Sequence, residues 1–228
     1  MGGKMQHRKV SDLMTRHVIS ARHDTPFKEI ARLLTENDIA ALPVVDDRGR
    51  PMGLVSESDL LRKASDQPGI NGKVPLPPLE AWERAKAQGA RAEELMSAPA
   101  VCARPDWNVV EAAQLMEVQR IKRLPVVDDT DRLLGIVSRR DLLRIFLRKD
   151  DAIQDEIEQD VLQHTVGLAP AQVSVTVRDG RVELRGVLEV RSLIPVVVRL
   201  CNAVDGVVEV LDHLSYQVDD VGSTPLGA

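Results

Sequence analysis

Apolar residues at Phe27, Ile30, Ala31 and Leu34 fall at i, i+3, i+4 and i+7, the stripe of a helix that buries one face. Asp24-Thr25-Pro26 stands just ahead of it, with capping chemistry and a proline near the first turn. A short apolar run, Val18-Ile19, comes before. Two strand-like runs follow, Leu42–Val45 and Met52–Ser56, joined by a polar turn that contains Gly49. A second helix is predicted from Ser56. The order is strand, helix, strand, strand, helix.

The whole pattern then returns 82 residues later. Ala100-Val101 stands for Val18-Ile19, and Val109, Ala112, Ala113 and Met116 reproduce the helical stripe. Residues 11–62 and 93–144 align without a gap, with 23 of 52 positions identical. Leu42–Asp47 and Leu124–Asp129 both read L-P-V-V-D-D, and Gly53–Arg62 and Gly135–Arg144 share G-h-V-S-x-x-D-L-L-R, with h apolar. One supersecondary unit is built twice, and two such units packed together carry two equivalent clefts.

Between the copies, Gln67–Pro78 is rich in Pro and Gly and reads as an irregular loop, and Glu80–Glu94 reads as a helix. Past the second copy the pattern changes. Asp151–His164 is an acidic helix with Ile153, Ile157 and Val161 on one face. Val173, Val175 and Val177 alternate, Asp179-Gly180 makes a two-residue hairpin turn, and Val182, Leu184 and Leu188 continue on the returning strand. Ser192–Val204 is a helix closed by Asp205-Gly206, and Val207–Leu211 and His213–Val218 are extended.

Charge marks the same boundary. Residues 1–149 hold 25 Lys and Arg against 21 Asp and Glu, and residues 150–228 hold 5 against 14. The balance passes from +4 to −9. Aromatic residues are 2% of the chain, so the core is aliphatic and stacking of bases on rings is disfavoured. No apolar run approaches the ~20 residues that span a bilayer. The basic N-terminus has no apolar segment behind it, so no secretory signal is read, and a cytoplasmic location is expected. Cys102 and Cys201 lie in apolar runs without metal spacing and read as buried thiols.

The G-h-h-S-x-x-D turn carries the chemistry. Glycine admits close approach of backbone or ligand, and serine opens a helix whose free N–H groups and dipole favour an anion. The aspartate, acceptor-only, suits a sugar diol. S-x-x-D is also the sequence of a helix capping box, and both Ser56 with Asp59 and Ser138 with Asp141 fit that reading. The two roles are compatible. Other chemistry is missing: five dispersed histidines lack ligand spacing, and no P-loop or nucleophile elbow occurs. Asp46-Asp47 and Asp128-Asp129 sit where solvated turn residues are usual.

On the D-L-M opening, which the second copy carries as E-L-M, and on the L-P-V-V-D strand and G-h-h-S-x-x-D-L, both present twice, residues 10–148 resemble a tandem pair of CBS domains, a Bateman module. The resemblance implies an α/β (α+β) fold of two β-α-β-β-α repeats, 10–65 and 93–148, joined through 66–92. On the V-x-L-x-G run at Val182–Gly186 and D-G-V-V-E-V at Asp205–Val210, residues 151–219 resemble a BON domain, a small αββαβ module, with a flexible tail at 220–228.

The first resemblance further implies clefts that bind AMP, ADP, ATP or S-adenosylmethionine, with the ribose held by one repeat and the phosphate by the other. Carried over residue by residue, the first pocket has Leu54, Ser56 and Asp59, with Ala100 and Val101 against the base and Lys122, Arg123 and Arg140 at the phosphate. The second has Ile136, Ser138 and Asp141 with Val18 and Ile19, and its phosphate end meets Ala40, Ala41 and Ser58. Arginine makes charge-assisted bonds to phosphate and alanine none, so the pockets are expected to be unequal.

The expected function is a non-enzymatic sensor that relays occupancy through the BON-like domain to a protein target still to be named, and that forms a homodimer. The alternative is a phospholipid- or envelope-associated stress protein in which the CBS pair is a scaffold. The −9 charge of the last domain disfavours an anionic membrane surface. Nucleic acid is disfavoured by the acidic balance.

Overall fold

A computed structural model describes residues 8–65 and 89–221. The loop expected over 67–78 and most of the helix expected over 80–94 lie outside them, as do the last residues of the tail. Two compact units are present, one of Lys9–Asp141 and one of Arg8 together with the residues from Leu142 onward. The second unit thus begins inside the last helix of the second repeat.

In the first unit the elements are α1 (Val10–Leu13), β1 (Ala21–Arg22), α2 (Phe27–Glu36), β2 (Ala41–Val45), β3 (Pro51–Ser56), α3 (Glu57–Ser65), α4 (Ala92–Leu95), α5 (Val109–Val118), β4 (Arg123–Val127), β5 (Leu133–Ser138) and α6 (Arg139–Leu142). The first repeat makes a three-stranded sheet, β1-β2-β3, with β1 parallel and β3 antiparallel to β2. The second makes the antiparallel pair β4-β5, and Ala103 bridges to Val126 where a third strand would stand.

The leading strands form three residues later than the apolar runs Val18-Ile19 and Ala100-Val101 predict. Ala21 and Ala103 are buried against the sheet, whereas Val18, Ile19, Ala100 and Val101 stay half-buried. A small side chain lets the leading segment approach β2 or β4 closely. Behind the first sheet, Ile30 and Leu34 of α2 meet Leu42, Val44 and Val55, the face that helical and strand spacing together require.

The two repeats are stitched by reciprocal backbone bonds. Leu54 and Ser97 exchange N–H···O=C bonds of 3.1 and 2.8 Å, and Thr15 and Ile136 exchange bonds of 2.9 and 3.0 Å. Gly53 and Gly135 are the cause. A Cβ on Gly53 would stand 2.7 Å from the Ser97 carbonyl oxygen, and one on Gly135 would stand 2.5 Å from Met14 Sδ. The glycine of the repeated turn therefore admits the partner repeat's chain.

In the second unit a 3₁₀ turn (Leu143–Leu147) leads to α7 (Asp150–Glu156), which continues as a π-helical stretch (Ile157–Val166) and ends at Gly167, left-handed at φ +83°. Then come β6 (Val173–Arg178), β7 (Arg181–Val190), α8 (Leu193–Asn202) and β8 (Glu209–Val218). The sheet order is β6-β7-β8, with β6 antiparallel and β8 parallel to β7. This is the αββαβ order expected. The two runs 207–211 and 213–218 form one strand instead, because Asp212 stays in register opposite Leu184 on β7. Ile153, Ile157, Val161, Val182, Leu184, Leu188, Val197 and Cys201 fill the core. Arg8 and Arg148 fasten to Asp205, through its carboxylate at 2.7 Å and its carbonyl at 2.8 Å.

Candidate functional site

The site grows from the end of β3. Ser56 is the last residue of that strand, and α3 starts at the next. Asp59, one turn in, folds back so that Oδ2 accepts from the Ser56 N–H at 2.9 Å and the Ser56 hydroxyl at 2.6 Å. Oδ1 accepts from Arg62 Nη1 at 2.9 Å. The carboxylate is 4% exposed as a residue, so it is held in one orientation and largely dehydrated. Helix capping and a preset acceptor are here the same arrangement.

A cleft of about 430 Å³ opens beside it. Leu54, Ser56, Asp59 and Arg62 form one side, and the other comes from the second repeat through Val101, Arg120, Lys122 and Arg123. Ser97 and Pro99 reach the cleft because the Leu54–Ser97 bridge draws their segment across β3. A neutral or acidic wall faces a basic one. A cleft so built suits a ligand with a hydroxyl-bearing middle and an anionic end.

Five sequence-derived residues of the first pocket other than Asp59 line this cleft: Leu54, Ser56, Val101, Lys122 and Arg123. Ala100 does not; its N–H bonds to the Met52 carbonyl and it lines a separate hollow with Cys102 and Trp107. Arg140 is exposed and also lies outside the lining. Ala40, Ala41 and Ser58, expected at the phosphate end of the second pocket, line the first. The last of these has a local cause. The loop before each second strand lies at the start of its own repeat's helix, as the Glu57 N–H bond to the Ala40 carbonyl and the Arg139 N–H bond to the Lys122 carbonyl show.

Arg120 and Arg62 were not anticipated. Arg62 follows Asp59 by three residues, helical spacing for an ion pair. Arg120 takes a left-handed φ of +53°, as its repeat partner Asp38 does at +51°. The alignment itself carries the signal, because Asp38-Ile39-Ala40-Ala41 is replaced in the second repeat by Arg120-Ile121-Lys122-Arg123.

At Asp141 the local geometry repeats. Oδ2 accepts from the Ser138 N–H at 2.9 Å and its hydroxyl at 2.6 Å, and the Asp141 N–H reaches Ser138 Oγ at 3.4 Å. Asp141, Ser138, Ile136, Val18 and Ile19 are all half-buried. The turn carboxylates behave as solvated turn residues. Asp46 accepts from the Arg48 and Arg50 N–H groups and from Arg50 Nε, and Asp128 accepts from Thr130 and the Arg132 N–H. These bonds hold both carboxyls below their ordinary range. Burial pushes the Cys201 thiol up to about 12. Among the described residues no group of three or more His, Cys, Asp or Glu is placed to hold a metal ion, and no helix is long and apolar enough to cross a membrane.

The family model of the CBS domain matches residues 10–66 and again 92–148, half of the chain. The chain is a CBS-domain protein. Behind its CBS pair, the BON-domain model matches residues 149–218. The CBS pair is 31% identical over 153 residues to an uncharacterised protein of Methanocaldococcus jannaschii, MJ1426, over 60% of this chain and 90% of that one. CBSX2 of Arabidopsis thaliana, solved in complex with AMP, matches with a TM-score of 0.51 at 30% identity, over 61% of this chain and 96% of CBSX2. The CBS pair of protein MJ0100, solved with 5′-methylthioadenosine and S-adenosyl-L-methionine, matches with a TM-score of 0.50 at 26% identity, over 61% and 99%.

Proposed function

We propose that the CBS pair is a regulatory module that binds a phosphorylated adenosine compound in the Asp59 cleft. The observation that carries this is the pairing of walls: a fixed, acceptor-only carboxylate at the start of α3 faces Arg120, Lys122 and Arg123 from the other repeat. Asp59 meets the ribose hydroxyls, Leu54 and Val101 flank the base, and the three cations meet phosphate. AMP bound to CBSX2 and S-adenosylmethionine bound to MJ0100 support the ligand class. The cation cluster favours the phosphorylated members over S-adenosylmethionine, whose sulfonium is positive. The Asp141 end is the weaker site in this reading, because Asp141 is half-buried whereas Asp59 is buried and faces the cations across one cleft.

The protein acts without catalysis, in the cytoplasm, as a homodimer. Leu61 and Val118, apolar helix residues left exposed by the single pair, support that assembly. Occupancy changes how the repeats pack, and the BON domain passes the change to a protein partner. Such a shift requires that nucleotide bind one packing better than the other. The BON domain's arginines favour this over a lipid role, since Arg181, Arg185 and Arg191 are each paired with a carboxylate.

Calorimetric titration with AMP, ADP, ATP and S-adenosylmethionine tests the reading. Binding of at least one phosphorylated nucleotide, lost in Asp59→Ala and kept in Asp141→Ala, is the expected result. Equal loss from both changes refutes the inequality of the clefts. Flotation with anionic liposomes, expected to recover no protein, tests the exclusion of lipid.

A further inference from the structure

The BON domain carries an open sheet edge beside a groove. β6 stands at one end of the β6-β7-β8 sheet and pairs only with β7 among the described residues. It enters β7 through the two-residue turn Asp179-Gly180, whose φ values are +50° and +73°, with Arg178 opposite Arg181. In such a hairpin the pair flanking the turn exchanges both backbone bonds, and the pattern alternates from there. Ser174, Thr176 and Arg178 therefore turn their N–H and C=O groups toward β7. Val173, Val175 and Val177 turn theirs to the open side while their side chains fill the core. A row of unpaired peptide groups is a template for another strand.

The groove alongside holds about 410 Å³. Val175 of β6, Gln154, Glu158 and Leu162 of the long helix, and Leu168 and Pro170 of the connection line it. Its helical wall is the π-helical stretch, a rare conformation that recurs at functional positions. The rim has one sign of charge. From Asp150 to Val177 the chain holds six carboxylates and no Lys or Arg. Asp150 is engaged by the Asp179 and Gly180 N–H groups and Glu156 by Arg148. Asp151 and Asp155 remain exposed, and Glu158 borders the groove.

We propose that β6 accepts an extended, basic segment of a partner protein as a fourth strand. Main-chain bonds to Val173, Val175 and Val177 supply affinity. Alternate apolar residues of the segment enter the groove, and its Lys or Arg residues meet the acidic rim. Strand addition with side-chain pockets at alternate positions is an established mode of peptide recognition. The inference rests on the BON domain's being the protein-contacting part, and not on the nucleotide cleft. ADP calorimetry on the same preparation keeps the two failures apart.

The test uses the full chain and a fluorescein-labelled peptide of alternating lysine and valine, read by anisotropy, with an alternating glutamate and valine peptide as control. The basic peptide is expected to bind, to weaken as salt is raised, and to slow amide exchange at Val173, Val175 and Val177. The acidic peptide is expected not to bind. Val175→Pro removes an outward N–H on an edge strand and leaves the β7 ladder intact. It should weaken the basic peptide by about tenfold or more, the equivalent of one good main-chain bond. Glu158→Lys, at the half-buried border of the groove where Glu158 accepts from Gln154 Nε2 at 2.9 Å, should weaken it severalfold and decides the matter if the proline variant does not fold. No binding of the basic peptide, undiminished binding to both variants, or slowed exchange on β8 in place of β6 would overturn the proposal.

Discussion

The two helix starts of the CBS pair, at Ser56 and at Ser138, share a backbone and differ in the residues beside them. Ser56 with Asp59 and Ser138 with Asp141 make the same two hydrogen bonds, at 2.9 and 2.6 Å in both copies. Around them, Asp38, Ala40 and Ala41 in one repeat become Arg120, Lys122 and Arg123 in the other. Duplication preserved what the fold needs, a capped helix start and a glycine beneath the partner chain. It left the residues that meet a ligand free to diverge. The repeated motif supplies scaffold and a common acceptor, and the positions where the copies disagree set the charge around it.

The largest expected effect tests that difference directly. Changing Arg120, Lys122 and Arg123 together to their repeat counterparts, Asp, Ala and Ala, should weaken ADP by about two orders of magnitude or more in calorimetry, since each charge-assisted bond contributes about 1.5–3 kcal/mol. Adenosine, without phosphate, should keep its affinity.

The stitching glycines sharpen the comparison next. Gly53→Ala sets a Cβ against a carbonyl oxygen at 2.7 Å, which is backbone and cannot swing aside. At Gly135 the nearest atom is the flexible Met14 Sδ, with the Thr15 carbonyl at 3.0 Å. Urea unfolding should show Gly53→Ala losing about 1–3 kcal/mol and Gly135→Ala losing less. A smaller difference lies at the helix starts. Asn108 caps α5 through the Glu111 N–H at 2.9 Å with Glu111 returning the bond, whereas Pro26 at the start of α2 offers no side-chain acceptor. Asn108→Ala should lower stability by about 1 kcal/mol and Pro26→Ala by much less.

The smallest effect is one the copies share. The Asp46 and Asp128 carboxyls titrate below their ordinary value of 3.8 when folded, so the folded state binds fewer protons there than the unfolded chain. Their contribution is complete above that pH and is lost as pH falls through the folded values. NMR titration of the two carboxyls should give parallel shifts below 3.8, and a normal value at either would break the equivalence of the hairpin turns.

Much of this was legible along the chain. Helical stripes, strand alternation, the Asp179-Gly180 hairpin and the αββαβ order depend on neighbours a few residues apart, and they formed as spacing requires. The leading strands did not, because Ala21 and Ala103 are chosen by how closely another strand can approach and not by hydrophobicity. Leu54, Ser56, Asp59, Val101, Lys122 and Arg123, singled out along the chain, line one cleft. Arg120, which also lines the cleft, lies outside the motif and is signalled only by its replacing Asp38 between the copies. Ala100 and Arg140 lie outside the lining of that cleft.

By itself, then, the order of residues determined that one unit occurs twice, that an acidic α/β domain follows, and that a serine and an aspartate open a helix in each copy. Those properties are local, set by period and by capping. That Ala40, Ala41 and Ser58 share the Asp59 cleft with the second repeat's cations was decided only by tertiary structure. The glycine-dependent crossing of residues 96–97 over β3 sets it, and such a contact between residues more than forty positions apart leaves no periodic trace in the chain.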